Sequence, residues 1–435
     1  GKMSNKSMKF QKTLKKYLVP IAEKIDKQVH LQAVKEGMMS IVPIIIIGSL
    51  SLLSIALKNM LPNGAAKDFI GNNLGIFMLP FNFTMGIISL YSAFFIAESL
   101  AKKYKLNSIE VGVTSVIVQF ILCAEVTDGG IKTGYLDAQG LFVSIFAALL
   151  VVEITRVMNK KGLVFKLPKE VPNIVIKSFN NLIPMIVCII LFTGLSVLAK
   201  STTGQPVPKL IMTVLAPAIN SLDSVAAVII IILITQLLWF FGLHGPAITS
   251  SIWMPIAAKY IAENSSRVAA GQAPTHIFTM GFYYSFLQVT GSGITLGLVI
   301  LMMRSKSKSL QSMGKVSIIP SIFGINEPVI FGTPLVMNPF MFIPFVFGPV
   351  VVGIVDFLAF SSGLIHKPIL EPPGFMPPGV GAFLCTLDWK AVVLSIGGII
   401  FMTIVYYPFF KIMEKEELKK EEENVEKFDD ESFDF

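Results

Sequence analysis

The chain has 435 residues, 53% of them hydrophobic and only 15% charged, with a net charge of +8 and a mean hydropathy of +0.70. That leaves too little polar surface to clothe a soluble protein of this size. Apolar runs of about 20 residues span a bilayer as helices, and many such runs are present. A transmembrane barrel needs strands of about ten residues with alternating hydropathy, and no such pattern occurs. The fold class read here is therefore an all-α polytopic membrane protein. Charge is unevenly placed: Glu414–Phe435 holds 11 acidic and 4 basic residues, which leaves 17 acidic and 32 basic residues elsewhere. That basic excess sits in short loops and the N-terminus, a positive-inside pattern rather than a nucleic-acid-binding one.

In chain order, Gly1-Lys2 ahead of Met3 reads as a tag scar, and residues 1–30 are too basic for a cleavable signal peptide. Phe10, Leu14, Tyr17, Leu18, Ile21 and Ile25 recur at helical spacing among lysines, which predicts an amphipathic helix on the inner membrane surface. About ten spans follow, near 38–57, 76–98, 109–126, 140–158, 179–199, 224–242, 247–263, 279–303, 337–358 and 391–412. Span 247–263 is short, follows a Gly-Pro break and could be half of a re-entrant hairpin. Segment 317–335, interrupted by Pro320, Pro328 and Pro334, reads as a hairpin rather than a span. Loops near 58–72, 126–139 and 200–222 carry few bases and are expected outside; both termini, including an acidic tail at 413–435, are expected in the cytoplasm. Cys123, Cys188 and Cys385 are scattered through apolar sequence and form neither a disulfide framework nor a metal site. No metal or cofactor is expected.

Two isolated ionisable residues carry the chemistry. Glu327 is the one ionisable side chain between Val316 and Val355, and His244 the one between Ser224 and Ala258. Charge at membrane depth is costly, so such residues face a water-filled cavity or a partner. The surrounding octapeptides match: Phe241-Gly242-Leu243-His244-Gly245-Pro246-Ala247-Ile248 parallels Phe323-Gly324-Ile325-Asn326-Glu327-Pro328-Val329-Ile330. Paired interruptions of apolar segments mark binding sites in transporters. The bland alternatives are a satisfied core histidine, a structural ion pair and a chance match. Glu327 could act as general base toward a substrate hydroxyl, with His244 bonding that hydroxyl or an incoming phosphoryl group and Asn326 bonding a polyol. The same pair could instead bind and release protons to drive secondary transport, and the pattern alone does not separate the two. Trp239, five residues before His244, is a candidate stacking platform beside Trp253 and Trp389. Glu371 and Asp388 border apolar sequence near predicted loops and read as structural or rim residues.

The run Leu243–Pro255, the motif Gly324-Ile325-Asn326-Glu327-Pro328, the following Phe331-Gly332-Thr333-Pro334 and the opening His30–Gly37 resemble the EIIC membrane subunits of the bacterial sugar phosphotransferase system, in the lactose/cellobiose/diacetylchitobiose branch. The resemblance covers nearly the whole chain. It implies a dimeric ten-span fold in the bacterial cell membrane with two re-entrant hairpins. The N-terminal five-helix half, 31–205, would make the dimer contact, and the half at 206–412 would bind substrate. It implies a sugar permease for a β-linked disaccharide, diacetylchitobiose or cellobiose, phosphorylated on entry by phospho-EIIB. Glu327 would be the catalytic glutamate near the sugar 6-hydroxyl and His244 the active-site histidine, with Asn326 and Gly245 at the sugar. EIIB is expected as a separate protein docking from the cytoplasm.

Overall fold

The computed structural model describes residues 5–164, 166–332 and 335–432. Gly1 and Lys2 of the expected tag scar, the Met3 that follows them, and Thr333 and Pro334 of the second break lie outside them. Helix α1 (Asn5–Lys27) leads into α2 (Val29–Leu50) and α3 (Leu52–Met60), and short helical turns then connect to α4 (Ile88–Lys103). Helices α5 (Ser108–Cys123), α6 (Leu141–Lys160) and α7 (Leu182–Thr203) complete the first half. Between α5 and α6, β1 (Glu125–Thr127) and β2 (Gly130–Lys132) pair antiparallel across Asp128-Gly129. The second half holds α8 (Val207–Asn220), α9 (Val225–Phe240), α10 (Gly245–Ala269), α11 (Leu296–Met303), α12 (Lys308–Ile322), α13 (Phe342–Ser361), α14 (Val380–Thr386) and α15 (Trp389–Ser432).

Six of the predicted spans coincide with helices long and apolar enough to cross a membrane, in Val29–Met60, Leu79–Lys103, Ala138–Lys160, Asn173–Thr203, Phe342–Ser361 and Trp389–Asp429. Helices α8 and α9 make a seventh only as a pair bent by 68°. The rest differ for physical reasons. Helix α5 is apolar but has 16 residues. Helix α10 is a continuous 25-residue helix whose far turns carry Lys259, Glu263 and Arg267. The segment at 279–303 is not one helix. It breaks between Gln288 and Thr295, where Thr290, Gly291, Gly293 and Ile294 all have positive φ.

Helix α2 packs on α4, α4 on α5 and α6, and α5 on α7; in the second half α9 packs on α13, and α15 on α11 and α13. Helix α10 touches both α2 and α9 and so joins the halves. One buried apolar cluster runs through the first half into α10 and the aromatic group Phe278, Phe282, Phe286 and Phe360. A second surrounds Phe240, Phe345, Met402 and Tyr406. Lipid tails are as apolar as leucine, so close packing and internal hydrogen bonds, rather than transfer from water, hold such helices together.

Helix α1 is amphipathic, but not all of its apolar stripe faces outward. Leu14, Leu18 and Ile25 pack on the protein core while Phe10, Tyr17 and Ile21 remain exposed. Ionic networks pin the two ends of the molecule. At one end His30 Nε2 lies 2.7 Å from Glu153, which also accepts from the Tyr104 hydroxyl at 2.6 Å. Arg156 covers the Tyr104 ring at 4.2 Å. At the other, Asp223 and Glu263 bracket the two ring nitrogens of His276, and Lys259 lies 2.5 Å from Glu263 while donating to Ala138 O in the first half. The acidic tail, expected as a solvated extension, continues α15 as helix to Ser432. Ser305 Oγ donates to Glu414, and Ser307 Oγ and the Ser309 N–H donate to Glu421, which docks the tail on the α11–α12 corner.

Candidate functional site

The matched octapeptides fold alike. Helix α9 stops at Phe240 and α12 at Ile322, and each is followed by Phe and then a glycine in left-handed backbone, Gly242 at φ +88° and Gly324 at φ +84°. Each stop carries the same pair of bonds: Gly242 N–H to Trp239 O and Leu243 N–H to Leu238 O, against Gly324 N–H to Ser321 O and Ile325 N–H to Pro320 O. This is the Schellman pattern, which satisfies the last carbonyls of a helix and needs glycine at the reversal. After two more residues the chain restarts at a proline, Pro246 in the first turn of α10 and Pro328 opening a five-residue π-turn to Gly332. Two stop-and-restart elements thus deliver His244 and Glu327 to one place.

There, His244 Nε2 lies 3.4 Å from Glu327 Oε1, with both side chains about half exposed, at 47% and 45%. His244 caps α10, and its Nδ1 accepts the Ala247 N–H at 3.1 Å. That bond leaves the ring proton on Nε2, aimed at Glu327. The site also lies at the positive end of α10, which favours an anionic group. The pair lines a cavity of about 530 Å³, within the range of about 300–1,000 Å³ usual for ligand sites.

Asn326 joins this break to the one at 288–295. Its side-chain amide donates to Ser292 O and, at 3.3 Å, to Thr295 Oγ1. Gly291 sits so close to the Asn326 side chain that a Cβ there would collide with it. Non-helical backbone at membrane depth survives only where protein or a cavity covers it, and both breaks line this cavity.

Two of the expected sugar contacts are packed closely into the protein. Gly245 is buried, and a Cβ on it would overlap Thr235 O; its role is close packing of α10 on α9, and its neighbours His244 and Pro246 line the cavity instead. Trp239 borders the cavity but is only 1% exposed, its ring against His244 at 4.4 Å and Phe331 at 5.6 Å, so it buttresses the histidine rather than offering an open stacking face. Trp253 is buried among Phe278 and Tyr283, and Trp389 is exposed outside the cavity lining. Asp388 is structural, accepting from the His366 and Lys390 N–H groups. Glu371, expected as structural or rim, is buried and part of the cavity wall. Sequence reading also passed over Tyr284 and Gln288 on that wall; the signal available was the Thr290-Gly291-Ser292-Gly293 run, whose two glycines mark the break that presents them.

Comparison with known proteins agrees with this geometry. Residues 35–349 match the family "Phosphotransferase system, EIIC". The chain is 33% identical to the lichenan permease IIC component of Bacillus subtilis (strain 168), over 95% of each. It is also 33% identical to the cellobiose-specific EIIC component of Geobacillus stearothermophilus, over 95% of this chain and 96% of that one. It is 30% identical to the lactose-specific EIICB component of Staphylococcus epidermidis, covering 94% of this chain and 71% of that longer protein. The crystal structure of ChbC, the IIC component of the N,N'-diacetylchitobiose-specific phosphotransferase system, superposes with a TM-score of 0.85 at 29% identity, over 94% of this chain and 99% of that one. A helical membrane fold, two matched breaks meeting at a histidine–glutamate pair, and this extent of likeness lead to one conclusion: the chain belongs to the EIIC family of the phosphotransferase system.

Proposed function

We propose that this chain is the permease through which a β-linked disaccharide, cellobiose or diacetylchitobiose, enters the cell and is phosphorylated by phospho-EIIB. The observation that carries the reading is the His244–Glu327 pair at the wall of a disaccharide-sized cavity. Relatives named for lichenan, cellobiose and diacetylchitobiose support the cargo class.

In this reading the sugar 6-hydroxyl lies against Glu327. The EIIB phosphocysteine S–P bond breaks as the sugar O–P bond forms, and the hydroxyl proton passes to Glu327 as general base. His244, with its proton on Nε2, orients Glu327 and then stabilises charge on the arriving phosphoryl group, assisted by the positive end of α10. Trp239 holds the imidazole in place, and Asn326 contacts the sugar while tying the two breaks together. EIIB approaches from the cytoplasm, where both termini lie, and two copies of the chain pair through the half at 31–205 in the bacterial cell membrane.

The test is uptake into sealed vesicles with and without phospho-EIIB, using cellobiose, lactose and diacetylchitobiose. The reading predicts sugar phosphate inside only when phospho-EIIB is supplied. Accumulation of unmodified sugar on a pH gradient without EIIB would replace it with proton-coupled transport.

A further inference from the structure

The cavity holds a second carboxyl that the phosphoryl chemistry does not use. Every residue from Glu371 to Pro377 lines it, and Glu371 is 3% exposed, with the Gly281 N–H beside its carboxyl and no side-chain hydrogen-bond partner among the described residues. Among the described residues of the wall there is no lysine or arginine, and the one histidine already faces Glu327.

The carboxyl is held in place by a rigid frame. The Glu371 N–H donates to Ser49 Oγ at 3.3 Å, and the Ile369 and Leu370 N–H groups both donate to Cys385 O. Pro372 and Pro373 fix the backbone that follows. The carboxyl rests against Gly281, itself a cavity residue: a Cβ on Gly281 would stand 3.1 Å from Glu371 Oε1.

A structural carboxylate has partners, as Asp388 does seventeen residues further along. Leaving a carboxyl without a side-chain partner in low dielectric costs several kcal/mol, so Glu371 works against the stability of the empty protein. A group kept in a ligand cavity at that cost is matched by the ligand.

We propose that Glu371 is a second anchor for the cargo, accepting hydrogen bonds from donors on the sugar at a part of the wall formed by a different segment from the His244–Glu327 pair. This rests on the sugar-permease reading above. Glu371 is a positioning and specificity residue: it selects cargo with a donor, hydroxyl or ammonium, at that place, and with Glu327 it disfavours anionic sugars.

The experiment uses the purified full chain in detergent, with calorimetric binding of cellobiose and of the corresponding glucosamine disaccharide at pH 7, and thermal unfolding alongside. Glu371→Ala is expected to weaken binding roughly tenfold to a hundredfold, as loss of a bond to a buried charged group does, while the protein unfolds at the same or a higher temperature. With phospho-EIIB, KM rises and kcat at saturating sugar is kept. Glu371→Gln separates the two donor sources: hydroxyl donors leave binding nearer to wild type, and an ammonium donor loses binding as fully as in the alanine variant. Unchanged binding in Glu371→Ala, or loss of binding together with a lower unfolding temperature, overturns the proposal. If the wild-type chain binds neither sugar, the permease reading itself fails, and that outcome is distinct from failure at Glu371.

Discussion

Two histidines in the second half each face carboxylates, and they are built in opposite ways. His276 is enclosed: 14% of its side chain is exposed, Asp223 lies 2.7 Å from Nδ1, Glu263 takes Nε2, and the ring stacks on Tyr260 at 4.0 Å and 3°. His244 has one carboxylate at 3.4 Å and half its side chain open, and its second nitrogen is occupied by its own helix. The closed arrangement has no capacity left for a substrate, so it serves architecture, joining the α8–α9 turn, α10 and the loop before residue 280. The open arrangement is under-satisfied, and a cavity gives it room to act. Catalytic hydrogen bonds are commonly long before substrate arrives. A histidine–carboxylate pair therefore signals chemistry through what it leaves unsatisfied.

The comparison can be broken most directly at Glu327. Glu327→Gln keeps the shape but removes the proposed base, and sugar phosphorylation with phospho-EIIB is expected to fall by about 10²–10⁴-fold with calorimetric sugar binding retained. Loss of binding with an intact fold would make Glu327 a ligand instead. The matching change at the closed site, His276→Ala, leaves Asp223 and Glu263 without the cation between them. Glu263 keeps Lys259 and Asp223 keeps the Ile277 and Phe278 N–H groups, but the shared cation and its packing are lost, so a fall in unfolding temperature in detergent is expected, whereas His244→Ala should leave that temperature nearly unchanged and reduce turnover. Equal destabilisation by both would erase the contrast.

Alkaline titration sharpens it further. Burial alone would lower the His276 pKa, but Asp223 and Glu263 outweigh it and raise it to about 9. A raised pKa stabilises the fold fully below the unfolded value near 6.5 and loses that contribution as pH rises through 9. Unfolding temperature should therefore decline between about pH 7 and 9 in the wild type, and the decline should shrink in His276→Ala. The smallest effect is at the two helix stops. Gly242→Ala and Gly324→Ala each place a Cβ on left-handed backbone, at a cost of about 1–2 kcal/mol, and similar losses in thermal unfolding would show that the matched turns are equivalent.

The long apolar helices and the His244–Glu327 pair were legible because each leaves a local mark: a run of hydropathy, or a lone charge between proline and glycine. The octapeptide match marks the paired stops in the sequence itself. The break at 288–295 left less trace, because Thr290 and Ile294 take left-handed backbone that their side chains do not advertise, and neighbouring packing imposes it. The His276 network was invisible because its partners lie 13 and 53 residues away and meet only through tertiary folding. The depth of Glu371 was not legible because proximity to a loop in sequence says nothing of depth once Pro372 and Pro373 carry that loop inward. Gly245 was legible by its motif, but the close approach of Thr235 O that forbids it a side chain was not.

The unbroken run of α15 has a practical use. At 1.5 Å per residue its 44 residues extend for about 66 Å, more than the roughly 45 Å of a whole bilayer, and Glu414 and Glu421 fasten its outer part to the α11–α12 corner. A marker protein fused in helical register near Ser432 would therefore be carried without a loose joint. It would give electron microscopy a fiducial, and its tilt would report directly on the orientation of α11 and α13, on which α15 packs.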